Sequence, residues 1–209
     1  MSIICDEFEQ RTAEWRIACL GNPGGSGISR ILTSKGDISA QREKYLEELA
    51  CERFTGKSAC GDFVSEHMAH GTDSEDSSRA LFELVTGIDV RQVGTVFKDE
   101  RRLCHYSPDG LIGDHAILEL KNPMSKTHIK YMEKKKVPTQ YILQIQMGLY
   151  VCDRTVGYFM SNADGYAPVI VKVRRDEELI RKIHNAIEDF GRDLVAREQM
   201  FRDNGGMPF

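Results

Sequence analysis

The sequence predicts an α/β fold, a mixed β-sheet flanked by helices, and three observations carry that expectation. Strand-like alternation and helical stripes follow one another as helices, three strands, a helix, two strands and a last helix. The 209 residues suffice for one domain with a sizeable core. Hydrophobic content of 41% and charged content of 29% are ordinary for a globular protein. One domain is expected over 1–209, with an N-terminal helical part at about 8–63, a core at about 64–175 and a C-terminal helix at about 176–201.

Residues 8–20 read as a helix carrying the sole tryptophan, Trp15, with Ile17 and Leu20 at helical spacing. The glycine-rich run 21–27 breaks it, and 28–32 begins another. Residues 41–54 form a charged amphipathic helix that should bury Tyr45, Leu46, Leu49 and Phe54. After a polar stretch at 55–63, a helix is expected over about 64–86, distorted where 71–78 forms helix poorly. Strand patterns cover 93–98, 102–107 and 116–121, with Gly110 and Gly113 permitting a turn before the third. Residues 126–136 read as a basic helix or helical loop ended by Val137-Pro138, and Thr139 should cap a helix over about 140–152. Strands at 155–160 and 168–174 precede a long helix whose stripe is Leu179, Ile183, Ile187, Phe190 and Leu194.

Composition excludes several classes. Cys5, Cys19, Cys51, Cys60, Cys104 and Cys152 form no Cys-x-x-Cys, which argues against a zinc knuckle or iron–sulfur cluster and for reduced thiols in a cytoplasmic protein. No apolar run approaches the roughly 20 residues that span a bilayer, so no membrane partner is expected. The N-terminus lacks a basic region followed by an apolar core, so no secretory signal is expected. A net charge of −4 does not suit indiscriminate coating of nucleic acid. Basic clusters survive within it, at Arg101-Arg102, at Lys121, Lys126, Lys130 and Lys134-Lys135-Lys136, and at Arg174-Arg175. Gly56-Lys57-Ser58 imitates the end of a phosphate-binding loop, but Cys51 replaces the required glycine and no strand precedes it, which excludes an ATPase. His67 and His70 alone among the histidines have a ligand-like spacing, and they read as helix surface.

The most informative segment is Ser107-Pro108-Asp109-Gly110, followed ten residues after the aspartate by Glu119-Leu120-Lys121. Ile117, Glu119 and Lys121 share one strand face, because side chains repeat every two residues. Glu119 and Lys121 therefore point toward whatever Asp109 faces across the hairpin. Mg²⁺ is a hard cation that takes one or two carboxylates plus water and phosphate oxygens. Asp109 and Glu119 supply the carboxylates and the backbone carbonyl of Leu120 a neutral oxygen, for one or two Mg²⁺ ions with Mn²⁺ as a substitute. Lys121 would orient the attacking water and offset negative charge in phosphodiester cleavage. A surface hairpin with Glu119 and Lys121 paired to solvent or each other accounts for this motif equally well.

The motifs in order resemble the PD-(D/E)xK nuclease fold, and within it the phage lambda exonuclease family, often labelled YqaJ-like viral recombinases. The resemblance spans about 10–190 and rests on Trp15, Gly21 and Gly24-Gly25-Ser26, on Gly71 to Val90 (GTDSEDSSRALFELVTGIDV), and on Lys98-Asp99-Glu100. It continues through Ser107-Pro108-Asp109-Gly110, Leu118-Glu119-Leu120-Lys121-Asn122-Pro123, and Tyr141, Gln144 and Gln146. It implies metal held by Asp109, Glu119 and the Leu120 carbonyl, with Lys121 as the water-activating lysine, Glu75 an acid near the site and Gln144 a polar neighbour. Asp99 matches a family acid, although capping a turn is an equally ordinary role. Ser26 falls where the family contacts a 5′-phosphate. The family's arginine there is replaced by Cys19, with Arg16 or Arg30 as substitutes. Beside such a centre Lys130, Lys134, Lys135 and Lys136 become candidates for contacts with DNA phosphates.

The implied activity is Mg²⁺-dependent 5′-to-3′ digestion of one strand of linear duplex DNA, leaving 3′ single strands. The resemblance also implies a homotrimeric ring, a single-strand annealing protein as partner, and phage or prophage origin in a bacterial host's cytoplasm. The alternatives are another PD-(D/E)xK endonuclease and a catalytically silent subunit that binds DNA ends.

Overall fold

A computed structural model describes residues 1–59 and 74–204 and arranges their strands in two sheets. The first strand, β1, is Ile3–Cys5. Helix α1, Ala13–Cys19, starts where the Thr12 hydroxyl accepts the Trp15 N–H. One 3₁₀ turn, Gly25–Gly27, leads into α2, Ile28–Ile31, and α3 covers Arg42–Thr55. Helix α4, Glu75–Thr86, ends on left-handed Gly87. Strands β2 (Thr95–Phe97), β3 (His105–Tyr106), β4 (Gly110–Ile112) and β5 (Ala116–Lys121) follow. Helices α5 (Ser125–Lys134) and α6 (Thr139–Val151) then cross over to β6 (Val156–Ser161) and β7 (Val169–Arg174). The last helix, α7, spans Glu177–Asp203, its start capped by Asp176, whose carboxylate accepts the Glu178 and Leu179 N–H groups.

The small sheet has the order β1-β2-β3, all antiparallel. The larger has the order β4-β5-β6-β7, with β5 and β6 parallel and the other pairs antiparallel. Parallel pairing needs a crossover, and α5 and α6 supply it. The expected three-strand meander is thus divided: 93–98 and 102–107 shrink to β2 and β3 and join β1, while 116–121 belongs to the mixed sheet. Two strands escaped the pattern reading. At three residues, β1 is too short to show a period. Gly110, expected in a turn, pairs with Leu118 within β4, and a Cβ on it would lie 2.1 Å from Val90. Gly113, at φ 49°, makes the turn.

Helix limits shift by a few residues. Thr139 is the first residue of α6 and Pro138 its cap, so the expected hydroxyl cap is absent. Tyr45, Leu46 and Leu49 are buried as the pattern predicts, whereas Phe54 is half-buried and meets Phe201 edge-on at 6.0 Å. Positions 64–73 of the expected helix lie outside the described residues, as do Cys60, His67 and His70.

Alternation along β5 builds two cores. Ala116, Leu118 and Leu120 pack with Phe82 of α4 and Met160. Ile117, on the other face, joins the larger core that contains Leu143, Phe159, Ile183 and Phe190. At Gly148 the approach of α6 is so close that a Cβ would lie 2.6 Å from Ile117 and from Tyr106. That approach lets side chains one turn earlier on α6 reach the face carrying Glu119 and Lys121.

Candidate active site

The loop between β3 and β4 brings Asp109 against the end of β5, where its Oδ2 accepts the Leu120 N–H at 2.5 Å. Glu119 is 2% exposed and saturated with donors. Its Oε1 accepts from Gln144 Nε2 at 2.5 Å and from Lys121 Nζ, and its Oε2 from the Tyr106 hydroxyl. A buried carboxylate demands such partners, because leaving an ion unpaired away from water is prohibitively costly. Tyr141, one turn before Gln144 on α6, lies with its ring 5.2 Å from Lys121 Nζ and stacks on Phe159 at 5.6 Å.

Helix α4 points its N-terminus at the same place, a favourable position for an acid. Its first residue, Glu75, hydrogen-bonds Asp109 and pairs with Arg11 at 2.6 Å. Arg79, one turn on, donates Nε to the Asp109 carbonyl at 2.9 Å. The N-terminal segment grips the loop from outside. Gln10 donates to the carbonyls of Pro108 (2.8 Å) and Val93 (3.0 Å), and Trp15 Nε1 to Ser107 Oγ (3.0 Å).

The electrostatics follow from this crowding. Burial pushes the Asp109 carboxyl well above the usual carboxylate range, reinforced by the charge of Glu119 and the hydrogen bond with Glu75. Burial acts the same way on Glu75, but the hydrogen bond from Asp109 and the Arg11 guanidinium outweigh it and hold Glu75 below its ordinary value. Burial disfavours charge on Lys121, yet Glu119 and Asp109 prevail and raise its pKa, so it stays an ammonium ion. Burial and then the charge of Glu119 raise the Tyr106 phenol, which remains a hydrogen-bond donor.

Among the described residues, no group of three or more His, Cys, Asp or Glu side chains is placed to hold a metal ion. The donors present are the Asp109 and Glu119 carboxylates and the Leu120 carbonyl between Glu119 and Lys121 in the chain. This hard-oxygen set, in which burial and the neighbouring charge of Glu119 disfavour an ionised Asp109, fits a divalent cation that keeps positions for water and substrate. Beyond Lys121, Ser74, Asn122, Pro123, Ser125, Asn162 and Asp164 line a cleft of about 120 Å³, with Ser78 bonded to both asparagines.

The other candidates are dispersed. Ser26 is exposed on the 3₁₀ turn, next to Gly25, where a Cβ would lie 2.2 Å from the Tyr106 ring. Arg16 is exposed on α1. Arg30 pairs with Glu48 at 2.6 Å and lies over the Tyr45 ring. Cys19 is buried 3.9 Å from Thr95 Oγ1, and burial pushes its thiol up to about 11. Asp99 accepts the Arg101 N–H in a turn and pairs with the Arg101 guanidinium. Gln146 turns away from Glu119, donating to the Arg174 carbonyl and accepting the Asp176 N–H, and so joins β7 to α7. Lys130, Lys134, Lys135 and Lys136 are exposed on α5 and just after it. Buried His128 anchors that helix, with ring nitrogens 2.8 Å from Ser161 Oγ and 3.0 Å from the Ala167 carbonyl.

Tyr106, Arg79, Gln10 and Arg11 were not expected at the site. A hydroxyl three residues before Asp109 was a usable signal for Tyr106, whereas the other three carry none. Tyr106→Phe should fold and lower divalent-metal affinity about 10-fold, the low end for removing a hydrogen bond that orients a ligand; calorimetric titration with Mn²⁺ checks this.

The YqaJ-like viral recombinase domain model matches residues 14–155, a span containing Asp109, Glu119, Lys121, Glu75 and Gln144. An alkaline exonuclease (LHK-Exo) from Laribacter hongkongensis is similar in structure, with a TM-score of 0.83 and 29% identity over 92% of this chain and 97% of that one. LHK-Exo in complex with dAMP matches with a TM-score of 0.82 and 30% identity, over 92% and 98% of the two chains. A phage related exonuclease from Haemophilus somnus 129PT shares the fold, with a TM-score of 0.62 at 13% identity over 95% and 98%. No curated protein matches the chain.

Proposed function

This chain belongs to the YqaJ-like viral recombinase domain family, and we propose from that premise that it is a metal-dependent exonuclease digesting one strand of duplex DNA from an end. Its mixed sheet and flanking helices are those of the PD-(D/E)xK nuclease fold. The observation that carries the reading is the cluster on β5: Glu119 buried among Lys121, Gln144 and Tyr106, with Asp109 bonded to the backbone between Glu119 and Lys121. LHK-Exo binds dAMP, a mononucleotide of the kind such digestion releases.

Asp109, Glu119 and the Leu120 carbonyl would hold one or two Mg²⁺ ions, with Mn²⁺ as a substitute. Such a cation supplies Lewis acidity toward the phosphate and the attacking water. Lys121, charged and steadied by Glu119, orients that water and offsets negative charge growing on the phosphate. Gln144 and Tyr106 hold the Glu119 carboxylate in one orientation. Glu75, bonded to Asp109, stands ready to orient water or accept a proton. The chain acts as one nuclease domain, with Ser26 and Arg16 facing the DNA end and Arg30 joining them only if it leaves Glu48.

The resemblance to the lambda exonuclease family supports a 5′-to-3′ direction, 3′ single strands handed to a single-strand annealing protein, and a homotrimeric ring. The exposed lysines of α5 bind backbone phosphates. Replacing Lys130, Lys134, Lys135 and Lys136 with alanine should weaken duplex binding and flatten its salt dependence, by about 0.9 in the log–log slope for each phosphate no longer neutralised. An unchanged slope would return them to solvated surface.

Linear duplex with one 5′-phosphate and one 5′-hydroxyl end, beside closed circular duplex, tests the function in Mg²⁺ or EDTA. Mg²⁺-dependent loss of one strand from linear DNA, with the circle intact, is expected. Cutting of the circle would mark an endonuclease, and no cutting of either a silent end-binding protein.

A further inference from the structure

Among the described residues, four non-glycine residues adopt a left-handed backbone: Arg11, Arg102, Lys135 and Asp153. Lys135 and Asp153 follow helix ends, where this conformation is common. Arg102 closes the short turn between β2 and β3 through its N–H to the Asp99 carbonyl. Arg11, at φ 71°, differs from these. It holds the third position of a turn closed by the Thr12 N–H to the Glu9 carbonyl at 3.4 Å, a place that normally calls for glycine or asparagine. Such strain persists only where the surroundings fix it, and it gathers at ligand-binding positions. Here the neighbours do the fixing: Gln10 is tied to Pro108 and Val93, and Thr12 caps α1.

The result is a guanidinium at the mouth of the site. Its Nη2 lies 2.6 Å from Glu75, with the Arg11 side chain 47% exposed and that of Glu75 13%. Arginine has five N–H donors, and this bond occupies one. Among the described residues, no other side chain or carbonyl takes the rest. Glu75 in turn bonds Asp109, so the guanidinium stands two hydrogen bonds from a carboxylate assigned to metal. Arg11 precedes residues 14–155, the span of the family match.

We propose that Arg11 binds the phosphate being cut, presenting its planar fork to the non-bridging oxygens while Glu75 holds the guanidinium in place. This rests on the reading of the site as a nuclease. A charged, bidentate donor of this kind suits a phosphodiester better than a lysine does.

The test compares wild type with Arg11→Gly and Arg11→Lys. Glycine adopts the left-handed turn freely, which offsets loss of the Glu75 ion pair, so Arg11→Gly should fold and melt close to the wild-type temperature. Its kcat/KM should nevertheless fall about 100-fold, as when one positioned donor to a transition-state oxygen is removed. Arg11→Lys, keeping the charge without the fork, should recover only part of that loss. In EDTA, binding of a short duplex should weaken on Arg11→Gly, and weaken again when it is added to Glu75→Ala. No added loss in the Glu75→Ala background would mean that Arg11 works only through Glu75, and would overturn the proposal. Wild-type kcat/KM in Arg11→Gly would overturn it too, as would wild-type kcat/KM in Arg11→Lys if the glycine variant fails to fold. Wild type inert on every DNA would sink the nuclease reading as well, whereas cleavage untouched by Arg11→Gly sinks this inference alone.

Discussion

Glu119→Gln should abolish strand cleavage, lowering kcat by about 1,000-fold or more, while duplex binding stays within a few-fold of wild type. The reasons lie in where Glu119 sits. It is among the most buried polar groups, and Lys121, Gln144 and Tyr106 all donate to it. Glutamine fills the same volume and keeps an acceptor for Lys121 and Gln144, and its amide can donate to the tyrosine oxygen. The fold should therefore survive what the chemistry does not: loss of a full negative charge at the candidate metal position. Alanine is the poorer probe, because it strands three buried donors at once. Binding is spared because the basic residues of α5 are exposed outside this cluster. Single-turnover cleavage beside fluorescence anisotropy separates the two quantities. Cleavage within tenfold of wild type would remove Glu119 from the chemistry.

Lys121→Met should lower kcat by a comparable factor with KM nearly unchanged, the pattern of an interaction made chiefly in the transition state. Glu119 and Asp109 prevail over burial to keep the ammonium charged, so the side chain serves as a fixed cation and donor. Methionine keeps a stem of similar length and removes the charged donor that lies over the Tyr141 ring and bonds Glu119. The variant should also melt below wild type, since Glu119 loses its ion-pair partner in a buried setting. A large rise in KM at constant kcat would instead assign Lys121 to ground-state binding.

How far the site was legible depends on distance along the chain. Asp109, Glu119 and Lys121 fall within one hairpin, so strand alternation was enough to place Glu119 and Lys121 on the Ile117 face. The surface-hairpin alternative fails on burial, because that face of β5 lies under α6. Glu75 was visible only through the family resemblance, being 34 positions from Asp109 with no shared periodicity. Arg11 and Glu75 are 64 residues apart, and local patterning says nothing about such a pair. Tyr106 belongs to a different sheet from Glu119 and meets it through the packing of β3 against α6, a tertiary fact. In the fold, β5 was legible because its alternating faces enter two cores, and the long last helix because its apolar stripe faces one. Three-residue β1 and glycine-led β4 were hidden, since neither carries enough side chains to show a period.

Mn²⁺ binding followed by electron paramagnetic resonance tests most directly whether Asp109 and Glu119 hold the metal. Wild type should take up one or two Mn²⁺ ions competed by Mg²⁺, and folded Asp109→Asn/Glu119→Gln should take up none at the same concentrations. Equal uptake by the two proteins, or digestion of linear DNA by wild type in excess EDTA, would contradict a metal centre built on these carboxylates.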